Sequence, residues 1–169
     1  MFLVEHKNTG KRYAMKRVPK SFLKSQKSII KAQNERSILE TNNHPFMVRL
    51  HYAFQDDKHL YYIINFAEGG ELFTLLQHKG VFSEKTVKLY AAELVLVLQY
   101  MHNSNIHYND LKLENVLIGR DGHILLVDFG LSQYGLEAIS TCGTLEYLSP
   151  EALTERRAGF AGDWWALVC

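Results

Sequence analysis

The segment YNDLKLEN at residues 108–115, followed by DFG at residues 128–130, decides how this sequence is interpreted. Each segment is polar and adjoins a short apolar run, at Val116–Ile118 and at Ile124–Val127. A carboxylate, an ammonium group and an amide therefore fall within one turn, and the carboxylate of Asp128 follows closely. Phosphoryl transfer needs oxygen ligands for Mg²⁺, a group that orients a hydroxyl, and a cation for the phosphate. These residues suit that chemistry.

Working outward, the N-terminal part favours strands and one helix. The apolar runs Phe2–Val4 and Tyr13–Met15 flank Lys7–Gly10, whose Asn and Gly favour a turn, so a β-hairpin is expected. From Gln26 to Glu40 isoleucines alternate with charged positions, and no Gly or Pro intervenes. This pattern predicts an amphipathic helix.

A second strand pair and a long helix are predicted next. The strands are expected at Val48–Phe54 and Leu60–Phe66, and Gly69-Gly70 forms a joint after them. Ser83 is a plausible N-cap for a helix whose apolar positions recur at helical spacing from Val87 to Met101. Because this stripe is apolar on many sides, we expect it to be largely buried.

Composition narrows the class of protein. The 169 residues carry a net charge of +1, which argues against wholesale binding to nucleic acid or anionic membrane but leaves a local patch open. The apolar runs are shorter than a membrane span, and no signal peptide is recognisable. Cys142 and Cys169 have no metal or redox spacing, which favours a cytoplasmic or nuclear protein with reduced thiols.

Five motifs, in order along the chain, resemble those of protein kinases. They are Ala14-Met15-Lys16, Glu35, the 110–115 segment, the 128–130 triplet and Ser149-Pro150-Glu151. Any one of them is weak evidence, whereas all five in order with family-like spacing are specific. The sequence is therefore identified as resembling a protein kinase over essentially its whole length.

Finer details resemble the AGC group, which includes the cyclic-nucleotide-dependent and ribosomal S6 kinases. Tyr108 stands where most kinases have His, and TCGTLEY at 141–147 and Asp163-Trp164-Trp165 match that group. Lys112 within Asp-Leu-Lys-x-x-Asn resembles a serine/threonine kinase and not a tyrosine kinase.

The resemblance implies an α+β, two-lobed fold that is incomplete. The N-lobe would be residues 1–68, an antiparallel sheet plus a regulatory helix, and the partial C-lobe would be 69–169. Gly-x-Gly-x-x-Gly does not occur, so the first strand and glycine-rich loop are expected to be lacking, and Cys169 would lie in the central C-lobe helix. On this interpretation, nucleotide binding would be weak and bare apolar surface would make the chain poorly stable or a chaperone client.

The resemblance also implies catalytic and metal-binding roles, with ATP and Mg²⁺ as cofactors. Asp110 would orient the substrate hydroxyl and accept its proton, and Lys112 would neutralise charge on the γ-phosphate. Asn115 and Asp128 would hold Mg²⁺. A solvated loop is the alternative interpretation of these four residues.

Nucleotide and substrate contacts follow from the same likeness. Lys16 would grip the α- and β-phosphates and would be fixed by an ion pair with Glu35. Glu71 and Glu114 would favour a protein substrate with basic residues upstream of its target Ser/Thr. The contacts implied around adenine and ribose are Ala14, Asn65, Ala67, Glu71 and Leu117.

A hydrophobic stack and an activation segment complete the implied site. The stack would rest on Asp163, and its apolar members would be Leu39, Leu50, Tyr108 and Phe129. An equally favoured alternative is that these four residues are ordinary members of the hydrophobic core. The activation segment would contain Ser140, Thr144 and Glu151. Asn109 replaces an arginine, and Gln133 stands where a lysine is common, so phosphorylation of Ser140 is expected to do little.

Two function classes remain open at this point. The leading one is an ATP-dependent serine/threonine protein kinase fragment, and the alternative is a catalytically impaired, pseudokinase-like binding module. A nucleotide-binding protein of another fold lacks support because no Walker-type Gly-x-x-x-x-Gly-Lys-Ser/Thr occurs.

Overall fold

The computed structural model describes residues 1–41, 43–135, 143–155 and 159–169 of the chain. Its N-terminal part contains an antiparallel sheet with the strand order β1-β2-β4-β3. The strands are Phe2–Glu5 (β1), Arg12–Pro19 (β2), Leu50–Gln55 (β3) and His59–Asn65 (β4). Both predicted strand pairs are therefore confirmed, including the hairpin that turns at Lys7–Gly10.

Helix α1 spans Gln26–Thr41, as its sequence pattern predicts. Its buried residues Glu35, Ile38 and Leu39 are spaced i, i+3 and i+4, so they share one face of the helix. Since an ionisable group among two aliphatic residues is unusual inside a protein, Glu35 requires a partner of opposite charge.

Helices α2 and α3 follow the sheet at Leu72–Lys79 and Glu84–Asn103. The Ser83 side chain accepts a hydrogen bond from the backbone N–H of Thr86, which confirms the predicted N-cap. The expected burial of the α3 stripe is correct only for its C-terminal half. Leu94 through Met101 include four buried apolar residues, whereas Val87 is 49% exposed. Helical spacing places Val87 on the same face as the buried residues, but spacing alone does not determine which part of that face another element covers.

Short hairpins and helices make up the remaining described part. The strands are Ile106–His107 (β5), Val116–Ile118 (β6), Ile124–Leu126 (β7) and Gln133–Tyr134 (β8), with β5 paired to β8 and β6 paired to β7. The helices are Pro150–Thr154 (α4) and Phe160–Val168 (α5). Among the described helices, none has the length and apolar character to cross a bilayer.

The joint at Gly69-Gly70 packs directly against β6. The Gly69 N–H donates to the Ile118 carbonyl at 2.9 Å, and the Ile118 N–H donates to the Gly70 carbonyl at 2.9 Å. A Cβ at position 69 would lie 2.7 Å from the Ile118 oxygen, so only glycine fits there. This contact connects the sheet region to the helical region at the edge of the cleft.

One apolar core runs through both regions. It joins the buried faces of α1, β4, α3 and the β6–β7 hairpin, and Val97, Leu98, Met101 and Leu126 are completely buried in it. The close packing of this core is what holds the polar segments around residues 110 and 128 in place.

A pH-dependent contact joins α3 to the turn between β6 and β7. His123 Nδ1 lies 2.5 Å from Glu93 Oε1, while Glu93 Oε2 accepts the Ile124 N–H at 2.9 Å. The hydrogen bond and the charge of Glu93 raise the pKa of His123 above its ordinary value of 6.5. A raised pKa means that folding binds a proton more tightly, so the pair stabilises most below the unfolded pKa.

We therefore expect the stabilisation by His123 to be lost as pH rises through the raised pKa. The measurement is the thermal midpoint of the chain and of His123→Gln at several pH values from about 5.5 to about 9. The difference between the two thermal midpoints should shrink with rising pH. Titration of the other histidines affects both proteins equally, so it does not contribute to this difference. A difference that stays constant or grows would contradict the expectation.

Candidate active site

A cleft of about 450 Å³ lies between the sheet and the segments that follow α3. Its walls come from β2, α1, β4, β6 and the segment after β7. Predicted site residues that line it are Ala14, Lys16, Glu35, Leu39, Asn65, Ala67, Glu71, Asn115, Leu117, Asp128 and Phe129. The fold thus collects into one cavity side chains that are far apart in sequence.

Lys16 bridges two carboxylates across this cleft. Its Nζ lies 2.5 Å from Glu35 Oε1 of α1 and 2.8 Å from Asp128 Oδ1. Strand β2 holds Lys16 opposite Tyr62 of β4, on the face of the sheet that lines the cleft. The buried Glu35 therefore has its partner, and one ammonium group connects the sheet, α1 and the segment after β7.

Charge states in this triad follow from burial and from mutual attraction. Burial disfavours the charge of Lys16, but the Glu35 and Asp128 carboxylates outweigh it and raise the pKa of the lysine. Burial also disfavours the charge of Asp128, yet attraction to Lys16 lowers its pKa overall. For Glu35, burial dominates and raises the pKa, with Lys16 offsetting part of that effect. Lys16 and Asp128 are consequently both charged at neutral pH.

Asp110 lies at the centre of a second polar cluster. Its Oδ2 accepts hydrogen bonds from Asn115 Nδ2 at 2.9 Å and from Lys112 Nζ at 2.9 Å. Its Oδ1 accepts the Thr144 hydroxyl at 2.9 Å, and the same hydroxyl oxygen accepts from Lys112 Nζ at 2.9 Å. Burial opposes the charge of Lys112, but the bond to Asp110 outweighs it and raises the lysine pKa. The carboxylate is only 8% exposed and is held in one orientation.

The backbone before Asp110 is anchored by the buried carboxylate of Asp163 on α5. Asp163 accepts the N–H groups of Tyr108 at 2.9 Å and of Asn109 at 2.8 Å, and His102 Nε2 lies 2.8 Å from its Oδ2. The Tyr108 hydroxyl donates to the Val127 carbonyl at 2.5 Å. These bonds position the segment that carries Asp110 relative to the segment that carries Asp128.

Two non-glycine residues here have left-handed backbone conformations. Asn109 has φ +67° and Asp128 has φ +59°, values that cost conformational energy unless the surroundings compensate. Asn109 is compensated by the Asp163 bond and by its Nδ2, which donates to the Leu131 carbonyl at 3.0 Å. A Cβ at Gly143 would lie 2.6 Å from the Asn109 oxygen, so the chain passes very close to this turn.

The predicted hydrophobic stack lies within the main core. Leu39, Tyr108 and Phe129 are buried in that cluster, and Leu50 is partly buried against it. The rings of Tyr108 and Phe129 meet edge to face at a centroid distance of 5.6 Å. Because Tyr108 also contacts Asp163 through its N–H, the aromatic pair is connected to α5.

The predicted activation-segment residues lie in different places. Thr144 contacts Asp110, as described above, whereas Glu151 lies in the first turn of α4 and does not line the cleft. Ser140 lies outside the described residues. The expectation about its phosphorylation therefore stays a prediction.

Two contacts of the site are not evident from sequence. The Thr144 hydroxyl joins Asp110 to Lys112, and His102 joins the end of α3 to Asp163. Thr144 is 34 residues from Asp110 and His102 is 61 from Asp163, so no local pattern indicates either pair. Only the chain fold brings them together.

Sequence comparison with known proteins shows which family the chain belongs to. The model for the protein kinase domain family matches residues 1–169. A probable serine/threonine-protein kinase of Dictyostelium discoideum is 44% identical over 99% of this chain and 38% of its own length. The cAMP-dependent protein kinase catalytic subunit of the same organism is 44% identical over 99% of the chain and 26% of its own length.

A human kinase is similar to the chain at the same level of sequence identity. Ribosomal protein S6 kinase alpha-2 of Homo sapiens is 44% identical over 96% of the chain and 23% of its own length. The chain thus spans well under half the length of these curated relatives, two of which are the AGC kinases that the sequence motifs resemble. With a family model covering every residue, the chain belongs to the protein kinase domain family, as a member of the serine/threonine kinases.

Proposed function

We propose that this chain transfers the γ-phosphate of ATP to a serine or threonine hydroxyl of a protein substrate. The observation that carries the proposal is that two polar clusters are joined at the cleft through Asn115, which lines the cleft together with Lys16 and Asp128 and donates a hydrogen bond to Asp110. Asp110, Lys112 and Asn115 form the first, and Lys16 with Asp128 belongs to the second. This combination supplies a proton acceptor, two cations and oxygen ligands, which phosphoryl transfer requires.

In the proposed reaction the substrate hydroxyl gives its proton to a carboxylate oxygen of Asp110 while its own oxygen bonds to the γ-phosphorus. The bond from that phosphorus to the bridging oxygen breaks, and ADP leaves with the electron pair. Lys112 would stabilise the charge that develops on the transferred phosphoryl oxygens. Its contact with Asp110 supports this role, because the ammonium group is already held beside the proton acceptor.

The donor atoms of the cleft fit a hard divalent cation. Within the described residues no cluster of three or more His, Cys, Asp or Glu side chains forms a self-sufficient metal site. Mg²⁺ often uses only one or two protein oxygens together with phosphate oxygens. Asp128 offers a carboxylate, and Asn115 uses its amide nitrogen for Asp110, which leaves its amide oxygen as a ligand. Bound Mg²⁺ would neutralise phosphate charge.

We infer that the same cleft holds the adenine and the ribose. Ala14 and Leu117 line it from opposite walls and would contact the base, while the backbone at Asn65 and Ala67 would bond its edge. Glu71 also lines the cleft, forms an isolated β-bridge with Leu117, and would contact the ribose. Lys16, fixed by Glu35, would bind the α- and β-phosphates.

A preference for basic residues upstream of the target hydroxyl is part of the proposal. The Oε2 atom of Glu114 is buried and has no hydrogen-bond partner among the described residues, although the residue lines the cleft. The carboxylate of Glu114 at the cleft would attract a lysine or arginine of a substrate. Glu71, on the same cleft, adds a second negative charge.

The alternative is a binding module that does not transfer phosphate. The specific observation in its favour is Asn109, which stands where the resemblance to kinases implies an arginine that pairs with a phosphorylated residue of the activation segment. We also propose the division into an N-lobe at residues 1–68 and a C-lobe part at 69–169, with the Gly69-Gly70 joint between them.

A thermal-shift titration with Mg·ATP tests the proposal. Ligand at about ten times its Kd stabilises a protein by about 1.4 kcal/mol, which corresponds to roughly 3–6 °C for a chain of this size. We expect such a shift for the chain and its loss in Asp128→Ala. Asp57→Ala, an exposed aspartate in the turn between β3 and β4, is the matched control and should keep the shift. No shift in the unaltered chain would favour the binding module.

A further inference from the structure

Charge is distributed very unevenly along this chain. Residues 6–34 contain nine of the 19 lysine and arginine residues and none of the 18 aspartate and glutamate residues. The near-zero net charge therefore conceals a strongly basic N-terminal segment. The proposed kinase chemistry uses only Lys16 from it, so the other cations of this segment have no role in that reaction.

Part of this segment forms a surface that we call the basic face, defined by Lys20, Phe22, Lys24, Lys27, Ile30 and Lys31. It consists of the 3₁₀ turn at Lys20–Phe22 and the first turns of α1. Lys27, Ile30 and Lys31 are spaced i, i+3 and i+4, so they lie on one side of the helix. Lys24 lies in the three-residue segment that joins the turn, which ends at Phe22, to the helix, which begins at Gln26.

The lysines of the basic face have no acidic partners among the described residues. Elsewhere in the described chain, Arg12, Arg36 and Lys88 do form ion pairs with nearby glutamates. The first turn of α1 contains no acidic residue, although acidic residues are favoured there. The positive end of the helix dipole therefore adds to the lysine charges and is not neutralised by the helix itself.

The neighbouring turn between β3 and β4 adds charge of both signs. The Lys20 N–H donates to the Lys58 carbonyl at 2.7 Å, which brings Lys58 next to the basic face. Asp56 and Asp57 occupy the same turn. Asp56 accepts two N–H groups of the turn and the Tyr61 hydroxyl, so its charge is directed into the turn. The net charge at this end of the sheet stays positive.

Apolar side chains project from the same surface. Phe22 is 73% exposed at the tip of the 3₁₀ turn, and Ile30 is 45% exposed between Lys27 and Lys31. A large aromatic side chain on a turn, surrounded by lysines, is the arrangement by which peripheral proteins insert into the interface of an anionic bilayer.

We propose that the basic face binds the surface of an anionic lipid bilayer, with Phe22 inserted among the headgroups. Two features favour a bilayer over an acidic peptide as the occupant. The cations are lysines, which act as flexible point charges toward a diffuse negative surface, whereas recognition of a single carboxylate or phosphate favours arginine forks. Phe22 also projects outward, so it is suited to enter a soft interface.

Flotation of the full 169-residue chain with vesicles tests the proposal. We expect partition onto phosphatidylcholine vesicles containing about 30% phosphatidylserine, little partition onto pure phosphatidylcholine, and loss of binding near 1 M salt, where screening is strong. K24Q/K27Q should lower the partition coefficient about 25-fold, since each lysine near an anionic surface contributes roughly fivefold. Phe22→Ser should lower it roughly tenfold.

The control is K79Q/K85Q, which removes the same charge from exposed lysines on α2 and at the start of α3. Circular dichroism and the thermal midpoint of each variant establish that folding is unchanged. Equal loss of binding in the control would overturn the proposal, because only net charge would then matter. Equal partition of the unaltered chain onto both vesicle types would also overturn it. A third contrary result is that the chain binds a glutamate-rich peptide through Lys24 and Lys27 but does not bind vesicles.

Discussion

Replacing Asp110 with asparagine is expected to lower the rate of phosphate transfer by about 10²–10⁴-fold while leaving Mg·ATP binding nearly unchanged. Asparagine keeps the size of the side chain but cannot take a proton at neutral pH. The side chains of Asn115, Lys112 and Thr144 all donate hydrogen bonds to the Asp110 carboxylate. The substitution therefore removes the proton acceptor without opening a cavity. The measurement is single-turnover transfer to a peptide with arginines upstream of a serine.

Asp57→Asn is the matched control for that experiment, because Asp57 is exposed and lies outside the cleft. Its transfer rate and its Mg·ATP thermal shift should both equal those of the unaltered chain. If Asp110→Asn retained more than a third of the transfer rate, Asp110 would not be the proton acceptor and the proposed mechanism would be wrong.

Removing the Asp163 side chain is expected to cost about 3–5 kcal/mol of the free energy of unfolding. Asp163→Ala leaves three donors without an acceptor, namely the N–H groups of Tyr108 and Asn109 and the His102 ring. Asp163 is 3% exposed, so water cannot replace the lost bonds cheaply. Urea unfolding at neutral pH measures the loss, and the thermal midpoint should fall by roughly 10 °C.

A milder substitution distinguishes the contribution of Asp163 as a hydrogen-bond acceptor from the contribution of its side-chain volume. Asp163→Asn keeps one oxygen, so the free energy of unfolding should fall by less than in Asp163→Ala. Asp57→Ala should change it by no more than about 0.5 kcal/mol, as is usual for exposed positions. A loss below about 1 kcal/mol in Asp163→Ala would show that Asp163 does not anchor the Asp110 segment.

Local patterns in this sequence predict most of the secondary structure. The helix at Gln26–Thr41 and the N-cap at Ser83 follow from spacing and capping chemistry within a few residues. The predicted burial of Val87 is wrong. Helical periodicity shows which residues share a face of the helix, but not whether another element covers that face. The glycine requirement at Gly69 also depends on β6, about fifty residues later in the sequence.

By itself, the sequence determined the family and the residue types of the candidate site. Asp110, Lys112, Asn115 and Asp128 are recognisable because their spacing along the chain is short and specific. The resemblance already implied the ion pair between Lys16 and Glu35, whereas the tertiary structure alone decided that Lys16 also meets Asp128 and that Thr144 meets Asp110. The physical reason is that hydrogen bonds and ion pairs depend on distances in space, and core packing sets those distances between segments that no sequence pattern connects.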